Sequence, residues 1–298
     1  MTGAMSATTT DSELPVLANV ARVKLSHPSR WVVAIACLVG LALIVRAFAL
    51  GQIEWTFVGR FLTAQAIVTG FANTMLMTIL AMALGILLGL IAALMRLSVN
   101  PVARVVAGAY IWFFRGTPVY LQLLLWFNLA LIFPTMGIPG LWEARTVDVM
   151  TPFLAALLGL GVCQGAYTAE VIRAGITSVD AGQVEAAKAV GMTGPQVMRH
   201  VVLPQALRVI TPPIGNEVIG MLKHTSLAAV ISYNEIMHTA SMIYFVNNRV
   251  IEMLIVCSIY YLATVTLLSI GQSWLERHLG RAARRTSGAA PAIQGEPA

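Results

Sequence analysis

Long apolar segments occupy most of this chain and limit what it can fold into. About 20 consecutive apolar residues in a helix cross the hydrocarbon core of a bilayer. Because backbone groups in lipid must be hydrogen-bonded within their own segment, each such stretch is expected to be a helix. The sequence predicts six spans, at 31–50, about 63–95, about 105–133, about 151–172, about 207–231 and about 250–275.

The proportion of charged residues supports a lipid environment. Only 11% of the 298 residues are charged and 58% are hydrophobic, whereas a soluble domain has about 25% charged residues. The formal net charge of +6 does not indicate a nucleic-acid-binding protein, because the basic residues are dispersed between the apolar segments. We therefore expect an all-α integral membrane protein that lies in the lipid bilayer and binds no nucleic acid.

The sequence contains none of the common motifs for enzymatic or metal chemistry. It has no G-x-x-x-x-G-K-[ST] loop, so ATP-driven work would have to come from a partner. It also has no H-E-x-x-H or G-x-S-x-G pattern. The three cysteines, Cys37, Cys163 and Cys257, lie singly in apolar segments, which argues against a disulfide framework or a metal site. We expect neither an enzyme nor a cofactor in this chain.

The basic residues indicate how the spans are oriented. An even number of spans places both ends on one side, and short cytosolic segments carry an excess of Lys and Arg. Most of the 19 basic residues lie outside the first and last spans, between the second and third, or between the fourth and fifth. Both termini are therefore expected in the cytosol. Residues 1–30 and 279–298 are predicted to be cytosolic tails without fixed structure.

The first apolar segment, at 31–50, has two interpretations. Ala47-Phe48-Ala49 resembles the small-residue cleavage site of a secretory signal. Against cleavage, about 30 residues precede the segment and Arg46 lies next to that site. We expect an uncleaved, additional transmembrane helix.

A polar, small-residue segment predicts a helix–turn–helix elbow at 178–204. Asp180 is placed to cap a first helix, which Gly191 would end. Thr193 begins the pattern of a capping box for a second helix, and Pro204 is expected to follow its last turn. An elbow on the cytosolic side would give another protein a shaped surface to grip.

The elbow resembles the signature loop of the membrane subunits of ABC importers. Glu185-Ala186-Ala187, Gly191 and Leu203-Pro204 stand at the spacing of its E-A-A, G and L-P positions. Other segments resemble the permeases of the polar amino-acid ABC importers, the histidine, glutamine, arginine, glutamate and opine group. The resemblance covers about Gly70 to Leu279. Its segments are Gly70-Phe71-Ala72-Asn73-Thr74, Phe114-Arg115-Gly116-Thr117-Pro118, Ala166-Tyr167-Thr168-Ala169-Glu170, Gly182-Gln183-Val184-Glu185-Ala186-Ala187, Leu203-Pro204-Gln205-Ala206 and Lys223-His224-Thr225-Ser226-Leu227.

This resemblance implies a type I ABC importer permease fold, with a five-helix core at 63–278 and an extra N-terminal helix at 31–50. It implies a transmembrane subunit that moves a polar amino acid across the bacterial inner membrane. The implied partners are two ATP-binding cassette subunits, which bind ATP and Mg²⁺, a second permease subunit, and a periplasmic or extracellular amino-acid-binding protein.

The resemblance also assigns roles within the elbow. Glu185 would pair with a basic group or a helix end on the ATPase. Ala186 and Ala187 would allow close approach, and Gly191 would permit the turn. The residues implied in coupling to the ATPase are Glu185, Ala186, Ala187, Gly191, Leu203 and Pro204.

A charged residue within a span is costly in lipid and usually faces a cavity or a partner. Arg115 precedes Gly116-Thr117-Pro118, a segment that would break or bend the helix. A guanidinium can hold a carboxylate through two parallel hydrogen bonds. Arg115 is therefore expected either to contact the carboxylate of a solute or gate its passage, or else to pair with Glu170 or Glu217 or cap the broken helix.

Other polar residues of the spans have two interpretations each. Lys223 would line the same cavity or extend to its edge. Glu170 would face the pathway or pair with Arg173, three residues further along its helix. Asn73, Thr74, Gln164 and Tyr167 would bind solute or hydrogen-bond neighbouring helices. The predicted pathway residues are Arg115, Thr117, Glu170, Lys223, Thr225 and Ser226.

Two other functions are compatible with the sequence. A permease for another small solute, such as an opine or a modified amino acid, would share these features. An ion-coupled secondary transporter would use Glu170 or Glu217 as its proton site. That alternative leaves the elbow without a purpose, and the sequence shows no clear internal repeat.

Overall fold

The computed structural model of this chain describes residues 28–138 and 142–287. These residues form twelve α-helices and one two-stranded antiparallel sheet. The helices are α1 (Pro28–Leu50), α2 (Trp55–Leu62), α3 (Gln65–Leu97), α4 (Pro101–Gly116), α5 (Val119–Phe127), α6 (Thr146–Val149), α7 (Pro152–Thr177), α8 (Ala181–Ala189), α9 (Gly194–Val197), α10 (Leu203–His224), α11 (Ile236–Asn247) and α12 (Val250–Ser287). The strands are β1 (Thr135–Ile138) and β2 (Trp142–Arg145).

The chain divides between Ile53 and Glu54 into two units. In the first unit, α1 is apolar on all sides and its side chains are exposed along almost its whole length. A helix that is hydrophobic all round is typical of a membrane span. Its length and composition suffice for crossing a bilayer.

Within the described residues, α1, α3, α7 and α12 are long and apolar enough to cross a membrane. The other two predicted spans coincide with interrupted helices. The predicted span at 105–133 contains α4 and α5, which are separated by Thr117 and Pro118 in extended conformations. The predicted span at 207–231 contains most of α10 and the 3-10 helix Thr225–Ile231.

Small residues let α3 and α7 approach each other closely. Each helix carries two glycines four residues apart, Gly85 with Gly89 and Gly161 with Gly165. A Cβ atom at Gly85 would lie 2.7 Å from Cγ of Gln164, and one at Gly89 would lie 2.7 Å from Cβ of Thr168. This small-xxx-small pattern is a common basis of helix association in membranes.

Two hydrogen bonds join the turn before α11 to α3. Nδ2 of Asn73 donates to the carbonyl of Asn234 at 2.8 Å, and the N–H of Ile236 donates to Oγ1 of Thr74 at 3.1 Å. Of the two interpretations of Asn73 and Thr74, hydrogen bonding to a neighbouring helical segment is the one observed.

The β1–β2 hairpin links α5 to α6, with Thr135 opposite Arg145 and Ile138 opposite Trp142. Nε of Arg145 lies 2.8 Å from Oδ2 of Asp148 at the start of α6. This hydrogen-bonded guanidinium holds the pKa of Asp148 below its usual value.

The predicted C-terminal tail at 279–298 begins too early. Helix α12 continues to Ser287, since the sequence from Leu275 contains good helix formers and no Gly-Pro pair. The predicted N-terminal tail at 1–30 ends three residues too late, since α1 begins at Pro28. The rest of both tail predictions concerns residues 1–27 and 288–298, which lie outside the described residues.

Candidate functional site

Two short helices and their caps form the predicted elbow. Asp180 accepts a hydrogen bond from the N–H of Gln183 at 3.2 Å at the start of α8. After α8, the N–H of Gly191 donates to the carbonyl of Lys188, and the N–H of Met192 donates to that of Ala187. These two bonds form a Schellman motif, and Gly191 adopts the positive φ of 87° that this motif requires. The predicted cap and helix break are therefore present.

The elbow has its own small hydrophobic core. Ala187, Val197 and Val202 are buried together, with Ile176 and Val179 at the end of α7 packed against them. Of the two alanines predicted to allow close approach of a partner, Ala187 is buried in this core and Ala186 is exposed. Of these two, only Ala186 is therefore on the surface of the elbow. Internal packing and capping make the elbow a defined protrusion at the end of α7.

The exposed side of α8 carries Glu185, which makes no hydrogen bond or ion pair with any residue in the described part of the chain. Lys188, also exposed, lies three residues further along the same helix. The side chain of Glu185 is therefore available to another molecule.

The prediction that Pro204 follows the last turn of the second helix is wrong. Helix α9 continues through a π-helical turn, Met198–Val202, directly into α10, where Leu203 and Pro204 are the first residues. The N–H of Leu203 donates to the carbonyl of Met198, five residues earlier. Proline lacks an N–H and is tolerated at the start of a helix, so the widened turn accommodates it. Leu203 and Pro204 are both exposed.

Two adjoining cavities lie along α7 and α10, and Tyr167 and Glu217 line both of them. One cavity, of about 390 Å³, is also lined by Arg115, Glu170 and Pro213. The other, of about 290 Å³, contains Val119, Cys163, Gln164 and His224 among its lining residues. Together these two cavities, called the passage below, place a few charged and polar side chains in a mostly apolar lining beside the break between α4 and α5.

Arg115 lies over an aromatic ring rather than against a carboxylate. Its Cζ is 5.3 Å from the centroid of the Tyr167 ring, within the range of a cation–π interaction. No salt bridge to Glu170 or Glu217 forms in the described residues. The guanidinium therefore keeps its hydrogen-bond donors available in the cavity.

The two carboxylates of the passage differ in their partners. Glu170 accepts from the guanidinium of Arg173 at 2.8 Å and 3.1 Å, which is the intrahelical alternative. Glu217 accepts a 2.8 Å hydrogen bond from Thr168, whose hydroxyl in turn accepts from Gln164 at 3.1 Å. The described residues provide no salt bridge for Glu217, so it is the carboxylate of the passage without a basic partner.

The remaining predicted pathway residues are not brought into these cavities. Thr225 is fully buried, and its hydroxyl donates to the carbonyl of Leu222 at 2.8 Å. The hydroxyl of Ser226 donates to the carbonyl of Lys223, whose side chain is exposed. The hydroxyl of Thr117 donates to the carbonyl of Phe113 at 3.0 Å, beside the helix break.

Two residues of this region, Gln122 and Pro213, are not among the predicted pathway residues. Gln122 is a polar side chain within an apolar run, four residues after Pro118, which is the signal that would have identified it. Pro213 lies inside α10 next to Pro212, where it interrupts the helical hydrogen bonds opposite Arg115.

Comparison with known proteins gives consistent matches. The model of the family described as binding-protein-dependent transport system inner membrane component matches residues 85–281 of this chain. The arginine transport system permease protein ArgU of Corynebacterium glutamicum is 40% identical over 265 residues, 88% of this chain and 84% of that protein. The probable amino-acid permease protein YxeN of Bacillus subtilis is 36% identical over 234 residues, 78% of this chain and 98% of that protein. A crystal structure of an amino acid ABC transporter with histidines has a TM-score of 0.67 and 36% identity, covering 76% of this chain and 100% of that chain.

Proposed function

Because this chain belongs to the family of binding-protein-dependent transport system inner membrane components, we propose that it passes a polar amino acid inward and is driven by a separate ATPase that grips the elbow. The family and the type I permease fold expected from the sequence are confirmed. The chain is the permease component of an amino-acid ABC importer, a multi-pass protein of the inner membrane. Permease subunits of this kind are not themselves enzymes and carry no cofactor of their own.

The geometry of the elbow supports its role in coupling. Its core of Ala187, Val197 and Val202 joins the end of α7, so a force applied to the elbow is carried into a helix that lines the passage. Glu185 supplies an exposed carboxylate that this chain leaves unpaired in its described part. A basic group or a helix N-terminus of the ATPase would complement that charge. ATP and Mg²⁺ would be bound by the ATPase.

The charges of the passage suit a zwitterionic amino acid. Since Glu170 is already paired with Arg173, the charged groups left for a solute are Arg115 and Glu217. The Arg115 guanidinium would bind the solute carboxylate in bidentate fashion, and Glu217 would take an ammonium or guanidinium group. The presence of one positive and one negative side chain in the same cavity is the observation that favours a polar amino acid over an uncharged solute. An opine or modified amino acid has the same two groups and is the alternative solute.

The remaining features of the proposal concern assembly and orientation. Two ATP-binding cassette subunits would lie in the cytosol beneath two permease subunits, and a periplasmic or extracellular binding protein would deliver the amino acid. Both termini would be cytosolic. Helix α1, which corresponds to the span predicted at 31–50, would be an addition to the permease core at 63–278.

Purification of the chain in mild detergent, followed by reconstitution, tests the proposed function. We expect an ATPase subunit to co-purify, and ATP together with the binding protein to drive uptake of a labelled polar amino acid into proteoliposomes. A chain that purifies alone and supports uptake on an ion gradient would contradict the ATPase-driven mechanism.

A further inference from the structure

The break between α4 and α5 leaves backbone carbonyls without helical donors. In a continuous helix the carbonyl of Phe114 would accept from residue 118, but Pro118 has no N–H. Thr117 is in an extended conformation, with φ −109° and ψ 139°, so its own carbonyl is also outside the helical pattern. Unpaired carbonyls at membrane depth are costly unless another group donates to them.

The side-chain amide of Gln122 supplies these missing donors. Its Nε2 lies 3.0 Å from the carbonyl oxygen of Phe114 and 3.1 Å from that of Thr117. Nε2 also lies 2.8 Å from Oγ1 of Thr117 and 3.5 Å from Sγ of Cys163 on α7. The thiol of Cys163 in turn donates to the carbonyl of Phe114 at 3.4 Å. Gln122 is only 3% exposed.

The other half of the same amide has no partner. Oε1 of Gln122 is buried without a hydrogen bond in the described part of the chain. The amide is thus held where its N–H groups are needed, although its oxygen gains nothing there. The contacts of this side chain are therefore made through its N–H groups, which donate to the carbonyls at the break.

Arg115 directly follows Phe114, whose carbonyl accepts the hydrogen bond from Gln122. We propose that Gln122 is a positioning residue for transport, which fixes the end of α4 and thereby holds the Arg115 guanidinium over Tyr167 in the passage. This inference rests on the role proposed above for Arg115 in binding the solute. Gln122 itself does not touch the solute, and it acts through the backbone of Phe114 and Thr117.

The variant Gln122→Met tests this inference, because methionine has a similar length and shape but no donor. The control is Asn128→Leu, which removes an amide from the other end of α5, where, within the described residues, Nδ2 bonds only to the carbonyl of Leu124. In the reconstituted importer, we expect Gln122→Met to raise the KM for the amino acid about tenfold, with little change in kcat. Asn128→Leu should leave both constants close to their original values.

Combination with Arg115→Ala distinguishes positioning from a general loss of structure. If Gln122 acts through Arg115, Gln122→Met should add little to KM in the Arg115→Ala background. An equal further increase in that background, or a proportional loss of kcat, would overturn the inference in favour of a purely structural role.

Labelling of Cys163 gives a readout that does not depend on solute binding. In a variant with Cys37→Ala and Cys257→Ala, the buried Cys163 should react slowly with N-ethylmaleimide, and Gln122→Met should accelerate the reaction. Unchanged labelling together with unchanged KM would refute the inference. If Arg115→Ala transports normally, the proposed role of Arg115 fails, while faster labelling in Gln122→Met would still support the stapling of the break.

Discussion

Inverting the charge at Glu185 should uncouple the importer without unfolding it. The cost to this chain is small, because Glu185 is exposed and has no tertiary partner among the described residues. On α8 it stands three residues before Lys188, a spacing at which opposite charges contribute about 0.2–0.5 kcal/mol and like charges cost a similar amount. The variant Glu185→Lys should therefore destabilise the elbow by at most about 1 kcal/mol.

The loss at the ATPase interface should be larger. Removing one member of a buried, hydrogen-bonded charge pair typically costs about 2–5 kcal/mol, and 2 kcal/mol corresponds to about 30-fold weaker binding. We expect Glu185→Lys to reach the membrane in normal amounts, to lose most of its co-purifying ATPase and to abolish ATP-driven uptake. The measurements are the ratio of ATPase to permease after purification and the uptake rate in proteoliposomes.

A matched control separates the two effects. Lys188→Glu also creates two like charges on α8, so it has the same intrahelical cost but keeps Glu185. It should retain more ATPase and more uptake than Glu185→Lys. Normal uptake by Glu185→Lys, or equal loss in the two variants, would refute the assignment of Glu185 to the coupling contact.

Three further expectations follow from the passage and from helix packing. Arg115→Ala should lower uptake more than it lowers the basal ATPase activity of the assembled complex, whereas equal loss of both would indicate a structural role. Glu217→Gln should raise the KM for a cationic amino acid about tenfold or more, since it removes the carboxylate that lacks a basic partner; an unchanged KM would exclude it from solute binding. Gly165→Ala should lower the free energy of unfolding of the purified protein by about 1–3 kcal/mol, because the new Cβ would lie 2.5 Å from the hydroxyl of Tyr110. Gly59→Ala in α2 is its control, since its Cβ meets nothing within 4 Å, and equal destabilisation would show that helix packing is not the cause.

Local signals in the sequence predicted the elbow well. Asp180 and Gly191 act through bonds within a few residues of themselves, so the amino-acid types alone indicate a cap and a left-handed turn. The pair of Glu170 and Arg173 is also local, at a spacing of three residues. Pro204 was misinterpreted because proline can follow a helix or begin one, and only the tertiary path of α9 into α10 decides between these.

Residues whose partners are distant in sequence could not be assigned in advance. The Gly85 and Gly161 pairs are visible as small-residue patterns, but only the packed structure shows that they meet each other. In the same way, Arg115 had three possible partners in the sequence, and the fold placed it on the ring of Tyr167. Thr225, within a conspicuous polar segment, is fully buried, and its hydroxyl is satisfied there by the carbonyl of Leu222 near the end of α10.

Helix breaks and charged residues coincide in this protein for a physical reason. A broken helix in lipid frees backbone groups, and a charge in lipid loses its hydration, so both require polar partners inside the protein. Arg115 lies at the break between α4 and α5, and Glu217 follows the Pro212–Pro213 interruption of α10 by about one turn. Both side chains line one cavity, and Pro213 lines it as well, so the two charges share one site. A glutamine side chain donates to a carbonyl near each site: the buried Gln122 at the first break, and the partly buried Gln272 of α12 at the Pro212–Pro213 segment, where its Nε2 lies 3.3 Å from the carbonyl oxygen of Pro212. The end of α4 therefore depends on Gln122, a side chain that lines neither cavity, and its replacement should alter transport through the position of Arg115.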